Sequence, residues 1–167
     1  METVKNVSLT EFPFIDAFTQ SVSTVLNSNL QSQADPGEPV CVKGPVPMGD
    51  VMAVMHLSGE SRGFVAVGMQ RKTAARIVAA LLGMNPETIS TERLHDGAEE
   101  LLNMIAGNAK PLLSETPYRF VLTTPSSIVA DNCVFEHKTP TARVLMPFEI
   151  FDKQFIVLAA LQPICRA

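Results

Sequence analysis

The sequence predicts an α+β fold: an antiparallel β-sheet with three helices packed on it. Three observations carry this. Apolar residues recur at helical spacing in three separate stretches, near residues 13–30, 71–84 and 91–113. The remaining apolar runs alternate with polar positions or are apolar throughout, and short turn-forming clusters separate them, as in strands joined by hairpins. No Gly-rich phosphate loop, GxSxG, HExxH or heptad array is present to point to another architecture.

The elements follow in order. In FPFIDAFTQSVSTVLNSNL, the residues Phe14, Phe18, Val22, Val25 and Leu26 line one helical face. QSQADPGEP is a turn-rich break, and VCVKG a short strand. DVMAVMHLSGESRGFVAVGMQ reads as a hairpin about Ser58–Ser61, and its second run is apolar on both faces, as in a central strand covered on both sides. RKTAARIVAALLGM repeats Ala74, Ile77, Val78, Leu81 and Leu82, with Gly83 where a left-handed cap belongs. NPETIST leads into the third helix. Pro111 inside it lacks an amide donor and crowds the preceding turn, which predicts a kink or an early end near Lys110. YRFVLTTP and SSIVADNCVFEHK read as strands. In TARVLMPFEIF the residues Val144, Met146, Phe148 and Ile150 alternate, Asp152-Lys153 turns, and QFIVLAALQ returns. The methionines of the strands, Met48, Met52, Met55 and Met69, read as core filler.

Bulk properties bound the function. The 167 residues suit a single domain with a real core, and 46% hydrophobic and 18% charged residues describe a globular chain. A formal net charge of −4 argues against a general binder of nucleic acid or of anionic membrane, both of which need basic patches. The opening METVKNVSLTEF lacks a basic segment followed by an apolar core, so no secretory leader is expected. FIVLAAL, the longest apolar run, is too short to span a bilayer. Cys41, Cys133 and Cys165 are scattered and odd in number, which fits free thiols in a reducing cytoplasm. His56, His95 and His137 are equally isolated, and no metal site is expected. The apolar strands VLMPFEIF and FIVLAAL would be aggregation-prone as free edges, so a homodimer joined through its sheets is expected.

The third helix carries an unusual stripe in DGAEELLNMIAGNAK. With Asp96 at zero and about 100° per residue, Glu100 falls near about 40°, Asn103 near about −20° and Gly107 near about 20°. Leu94, Ala98, Leu101, Ile105, Ala109 and Leu112 fall on the opposite side, between about 140° and 220°. The apolar face should therefore dock on the body and aim the stripe outward. Asn and Gly are poor helix formers, so helix stability does not explain them there. A carboxylate can grip a cation on a partner, an amide can orient a water, and a glycine lets another surface approach the backbone. Neither side chain is a nucleophile with an adjacent base, which excludes a self-contained covalent mechanism. A reaction whose electrophile and metal belong to the partner fits, and phosphoryl transfer is of that kind. A plain solvated helix also shows polar residues opposite an apolar stripe, and Glu-x-x-Asn alone occurs by chance, so the stripe by itself leaves both readings open.

The segment resembles the signature of the CheC/CheX/FliY phosphatases of bacterial chemotaxis: Asp or Ser, three residues, Glu, two residues, Asn. Here it is Asp96-GAE-Glu100-LL-Asn103, continued by Ile105-Ala-Gly107-Asn-Ala109-Lys110 and followed by Pro125 at a strand start. NVSLTEFPFIDAF, GFVAVGMQRKTAARIVAALLGM and FDKQFIVLAALQ are similar to family segments in order and spacing. The resemblance implies a CheC-like fold and a cytoplasmic phosphatase of the phosphorylated CheY-type receiver domain. Asn103 would place the attacking water, and Glu100 would pair with the receiver's lysine. Mg²⁺ would be supplied by the receiver, with no cofactor bound by this chain. Asp96, Gly107 and Lys110 would contact the partner; the family's acceptance of Ser in place of Asp96 suggests a helix-stabilising or local hydrogen-bonding role for it rather than chemistry, and a solvated lysine is the blander reading of Lys110. The first helix has Asp16, Gln20 and Ser23 but no second Glu and Asn, so a single motif is similar to the homodimeric CheX branch. Pro111 departs from the usual continuation of the helix. FliM shares the fold without the activity, so a receiver-binding or flagellar-switch-like scaffold is the alternative.

Overall fold

The computed structural model describes residues 1–4, 12–30, 32–137 and 142–164. Cys165, Lys138 and residues 5–11 lie outside the described residues, as does part of the segment NVSLTEFPFIDAF. In chain order the elements are β1 (Glu2–Thr3), α1 (Phe14–Leu30), β2 (Asp35–Pro36), β3 (Val40–Lys43), β4 (Val46–Ser58), β5 (Ser61–Met69), α2 (Arg71–Leu82), a 3-10 turn (Pro86–Thr88), α3 (Thr91–Leu112), β6 (Val121–Leu122), β7 (Ser126–Phe135), β8 (Arg143–Ile150) and β9 (Lys153–Pro163).

All strand pairs are antiparallel, in the order β1-β3-β8-β9-β5-β4. The outer side of β4 is completed by β6 at one end, where Leu57 faces Leu122, and by β7 over the rest, where Val51 faces Val129. β2 flanks β8 beside β3. Central β5 is paired on both sides from Gly63 to Met69, Val65 facing Met55 of β4 and Ala159 of β9.

Side chains alternate between the faces of a strand, and here both faces are buried. One face sends Val51, Ala53, Met55, Val65, Val67, Met146, Phe148, Phe155 and Val157 under the three helices. The other gathers Met48, Met52, Phe64, Ala66, Phe135, Leu145, Leu158 and Ala160 into a second apolar cluster within the curl of the sheet. The expected three-helices-on-a-sheet architecture is present. The second core behind it is an addition, since alternation reports burial of a face without saying what covers it. Met48, Met52, Met55 and Met69 are all buried.

Local signals behave as their chemistry requires. Gly83 is left-handed, with φ 64°, and its N–H donates to Ala79 O at the end of α2. Asp50 on β4 accepts from the Arg71 N–H at the start of α2 through one oxygen and from Asn132 N–H through the other. Cys41 and Cys133 are buried free thiols, and burial pushes the Cys41 thiol up.

Five expectations are corrected. YRFVLTTP is strand only at Val121–Leu122; Thr116 and Tyr118 close tight turns through Thr116 Oγ1 instead. β4 starts at Val46, before Asp50, because Gly49 at φ 84° absorbs an irregularity against β7 and lets pairing continue. The last hairpin turns on Phe151-Asp152, both at positive φ, one residue earlier than Asp152-Lys153; Arg76 stacks its guanidinium 4.0 Å from the Phe151 ring centroid. α3 runs through Pro111 to Leu112, because at the last turn a missing amide removes a single bond and proline's own φ suits the helix. Finally, the strands read as free edges, β8 and β9, lie inside the sheet, so their apolar character reflects burial and gives no warrant for an edge-to-edge dimer.

Candidate functional site

The sequence of α3 explains both its stability and its orientation. Ser90 caps it, its hydroxyl accepting the Arg93 N–H at 3.2 Å. Leu94, Ala98, Leu101, Leu102, Ile105, Ala106 and Ala109 are buried against the body. Leu112, expected on that face, is 44% exposed, and the next residue, Leu113, is buried in the core instead.

Three contacts fix the helix about its own axis. Gly97 meets α2 so closely that an added Cβ would lie 2.4 Å from Val78 Cγ2. Ser21 of α1 donates its hydroxyl to Ile105 O at 2.5 Å, a buried bond to the helix backbone. On the third side, Ser127 of β7 donates to Glu99 Oε1 at 2.6 Å and lies 2.8 Å from His95 Nδ1. Its hydroxyl proton is committed to Glu99, so its oxygen accepts from an Nδ1–H of His95. A hydrolytic triad would place histidine between serine and carboxylate. Here serine is in the middle, which makes a clamp and leaves no base to activate it.

With the helix held this way, Asp96, Glu100, Asn103 and Lys110 are exposed, and Gly107 is half-buried with nothing within 4 Å of a Cβ built on it. The angular split read from the sequence holds for Leu101 and Ile105 inside and for Glu100 and Asn103 outside. Glu100 and Asn103 are three residues apart, hence neighbours on one helical face. Half-buried Pro125 ends the loop into β7 just ahead of the Ser127 clamp. The clamp residues His95, Glu99 and Ser127 carried no signal in the sequence, because Ser127 comes from a distant strand. Gly97 carried none either, because its constraint comes from Val78 on α2.

The row offers an anionic carboxylate, a donor–acceptor amide and an open backbone patch on a rigid support. Among the described residues no three His, Cys, Asp or Glu side chains cluster to hold a metal ion. No helix among them is long and apolar enough to cross a membrane.

Comparison with known proteins bears on this row. A family model described as chemotaxis phosphatase CheX matches residues 51–149, a span that contains α2, α3 and β7. The crystal structure of a chemotaxis protein CheX from Desulfovibrio desulfuricans is 30% identical, with 89% of this chain and 99% of that chain covered at a TM-score of 0.80. A CheC-like superfamily protein from a Shewanella species is 28% identical over 90% of this chain and 98% of that one, with a TM-score of 0.81. A structure of a CheX–CheY–BeF3–Mg²⁺ complex from Borrelia burgdorferi has a chain 24% identical, with a TM-score of 0.74 over 89% of this chain and 97% of that one. No curated protein sequence is similar enough to the chain to count as a match.

Proposed function

From the premise that the chain belongs to the CheX family of chemotaxis phosphatases, we propose that it accelerates hydrolysis of the aspartyl phosphate of a CheY-type receiver domain. The single observation that carries the reading is the joint exposure of Glu100 and Asn103 on a helix held from three sides. The assembly of CheX with CheY in the Borrelia structure supports the choice of partner.

In the proposed reaction a water oxygen attacks phosphorus, and the bond from phosphorus to the receiver's carboxylate oxygen breaks. The products are inorganic phosphate and the free aspartate. Little covalent work falls to the protein in such a transfer, so positioning and charge decide the rate. The Asn103 carboxamide accepts a hydrogen bond from the water and holds it in line with the bond that breaks. The Glu100 carboxylate pairs with the receiver's active-site lysine. Asp96, Gly107 and Lys110 extend the contact along the helix. Mg²⁺ belongs to the receiver.

We also propose that the protein acts in the cytoplasm and as a homodimer, through β7. That strand is at the outer side of β4, and Ile128 and Val134 on it are 51% and 54% exposed. An antiparallel copy of the same strand would pair its edge and cover both residues.

The decisive experiment measures decay of phosphorylated receiver domains with and without the protein and its Asn103→Ala variant. Acceleration by wild type and its loss in the variant support the phosphatase. Binding without acceleration replaces it by a receiver-binding scaffold, which has no need of an amide at 103.

A further inference from the structure

Gly107 and Pro111 are four residues apart, the spacing of a helical hydrogen bond. Pro111 lies within α3, which continues to Leu112. It has no N–H, so the carbonyl of Gly107 lacks the donor that its place in the helix would provide. A proline ring within a helix also crowds the carbonyl four residues before it. The carbonyls that follow are served differently: Lys110 O accepts from Leu113 N–H at 3.2 Å, and Pro111 O from Ser114 N–H at 3.3 Å and from the Ser114 hydroxyl at 2.8 Å.

The location makes this more than a frayed end. By helical spacing, Gly107 and Pro111 both lie on the side of the helix that bears Glu100 and Asn103. Pro111 is exposed, and no atom outside the helix's own nearby backbone lies within 4 Å of a Cβ built on Gly107. A carbonyl near a helix C-terminus also carries part of the helix's negative end. Glycine without a Cβ and proline without an N–H therefore act together: one clears the approach and the other releases an acceptor.

We propose that the Gly107 carbonyl is a docking acceptor, which takes a hydrogen bond from an N–H or ammonium donor on the partner, one turn beyond the water-positioning amide. The inference rests on the phosphatase reading and specifies how the partner is held. It assigns Pro111 a positioning role through the carbonyl it frees.

Two substitutions separate this from a stability effect. Pro111→Ala and Pro111→Gly both restore the N–H and let the helix reclaim the Gly107 carbonyl. They differ in helix preference, alanine being the better former. The test uses the full chain and the receiver whose dephosphorylation it accelerates, activated with beryllofluoride and Mg²⁺ for binding and phosphorylated for turnover. Loss of one hydrogen bond should weaken binding and raise KM roughly three- to tenfold in both variants, with kcat unchanged. Pro111→Ala should melt above Pro111→Gly, so that affinity does not follow Tm. Unchanged affinity in both variants, or weakening confined to the less stable one, overturns the inference while leaving the phosphatase standing. A wild-type protein that neither binds nor accelerates any receiver overturns both.

Discussion

Val78 occupies the space that a side chain at residue 97 would need: a Cβ on Gly97 would lie 2.4 Å from its Cγ2 and 2.6 Å from its Cγ1. The second residue of the motif stretch is thus set by contact with α2, and the helix can approach that neighbour only as glycine. Gly97→Ala should destabilise the protein by about 1–3 kcal/mol through overpacking. Val78→Ala added to it should recover part of the loss, although alone it leaves a cavity. Urea denaturation of the two single variants and the double variant measures this coupling, and strict additivity would dismiss the contact as a constraint.

Asn103→Ala should remove most of the acceleration, on the order of 2–4 kcal/mol as for loss of one preorganised polar group. Receiver affinity should change little, and the melting temperature should hold, because Asn103 is exposed. Single-turnover decay of the phosphorylated receiver, with affinity measured separately, tests both halves.

Glu100→Ala should impair binding and turnover together. It removes the charge proposed to meet the receiver's lysine, so the salt dependence of association should flatten as well. Association rates across a range of ionic strength provide the measurement, and an unaltered salt slope would move the lysine's partner elsewhere.

Ser127→Ala leaves the Glu99 carboxylate and His95 without the hydroxyl that joins them. A stability loss of about 1–2 kcal/mol is expected for a part-buried group so stripped. Because the same clamp holds α3 on that side, kcat should fall severalfold while the proposed site side chains, Glu100 and Asn103, stay intact. Full retention of kcat would mean that the α1 and α2 contacts suffice to hold the row.

Ile128→Lys combined with Val134→Lys should yield monomer in light scattering at micromolar concentration if wild type is dimeric. Charges on an edge strand oppose strand addition. A wild-type monomer would dispose of the dimer.

Much of this arrangement was legible in the residues, for identifiable reasons. The split between Ile105 inside and Asn103 outside follows from helical periodicity alone, which acts over a few residues. Gly83 announced its cap because a left-handed position admits few residues. What escaped the sequence depends on distant partners. The edge position of β7 and the interior position of β9 are properties of strand order, and apolar content cannot distinguish a buried strand from a sticky edge. The Ser127 clamp joins residues from different elements. Pro111 misled because its effect depends on how much helix follows it: in the body it would break the helix, whereas here only Leu112 remains beyond it.

The pairing of β5 with β9 joins residues from opposite halves of the chain, Val65 to Ala159 and Val67 to Val157. The row and two of the three contacts that hold it, from α2 through α3 to β7, are encoded inside the loop this pairing closes; the third, from Ser21 of α1, precedes it. Such long-range closure is a slow step in folding, since chain entropy is lost before contacts compensate. During synthesis α3 is made before β9, and until that strand pairs the apolar face of the helix lacks part of the sheet it rests on. The row should therefore acquire its fixed orientation only when the last strand is in place, and a chain truncated before Lys153 should fail to present it even though every motif residue has been made.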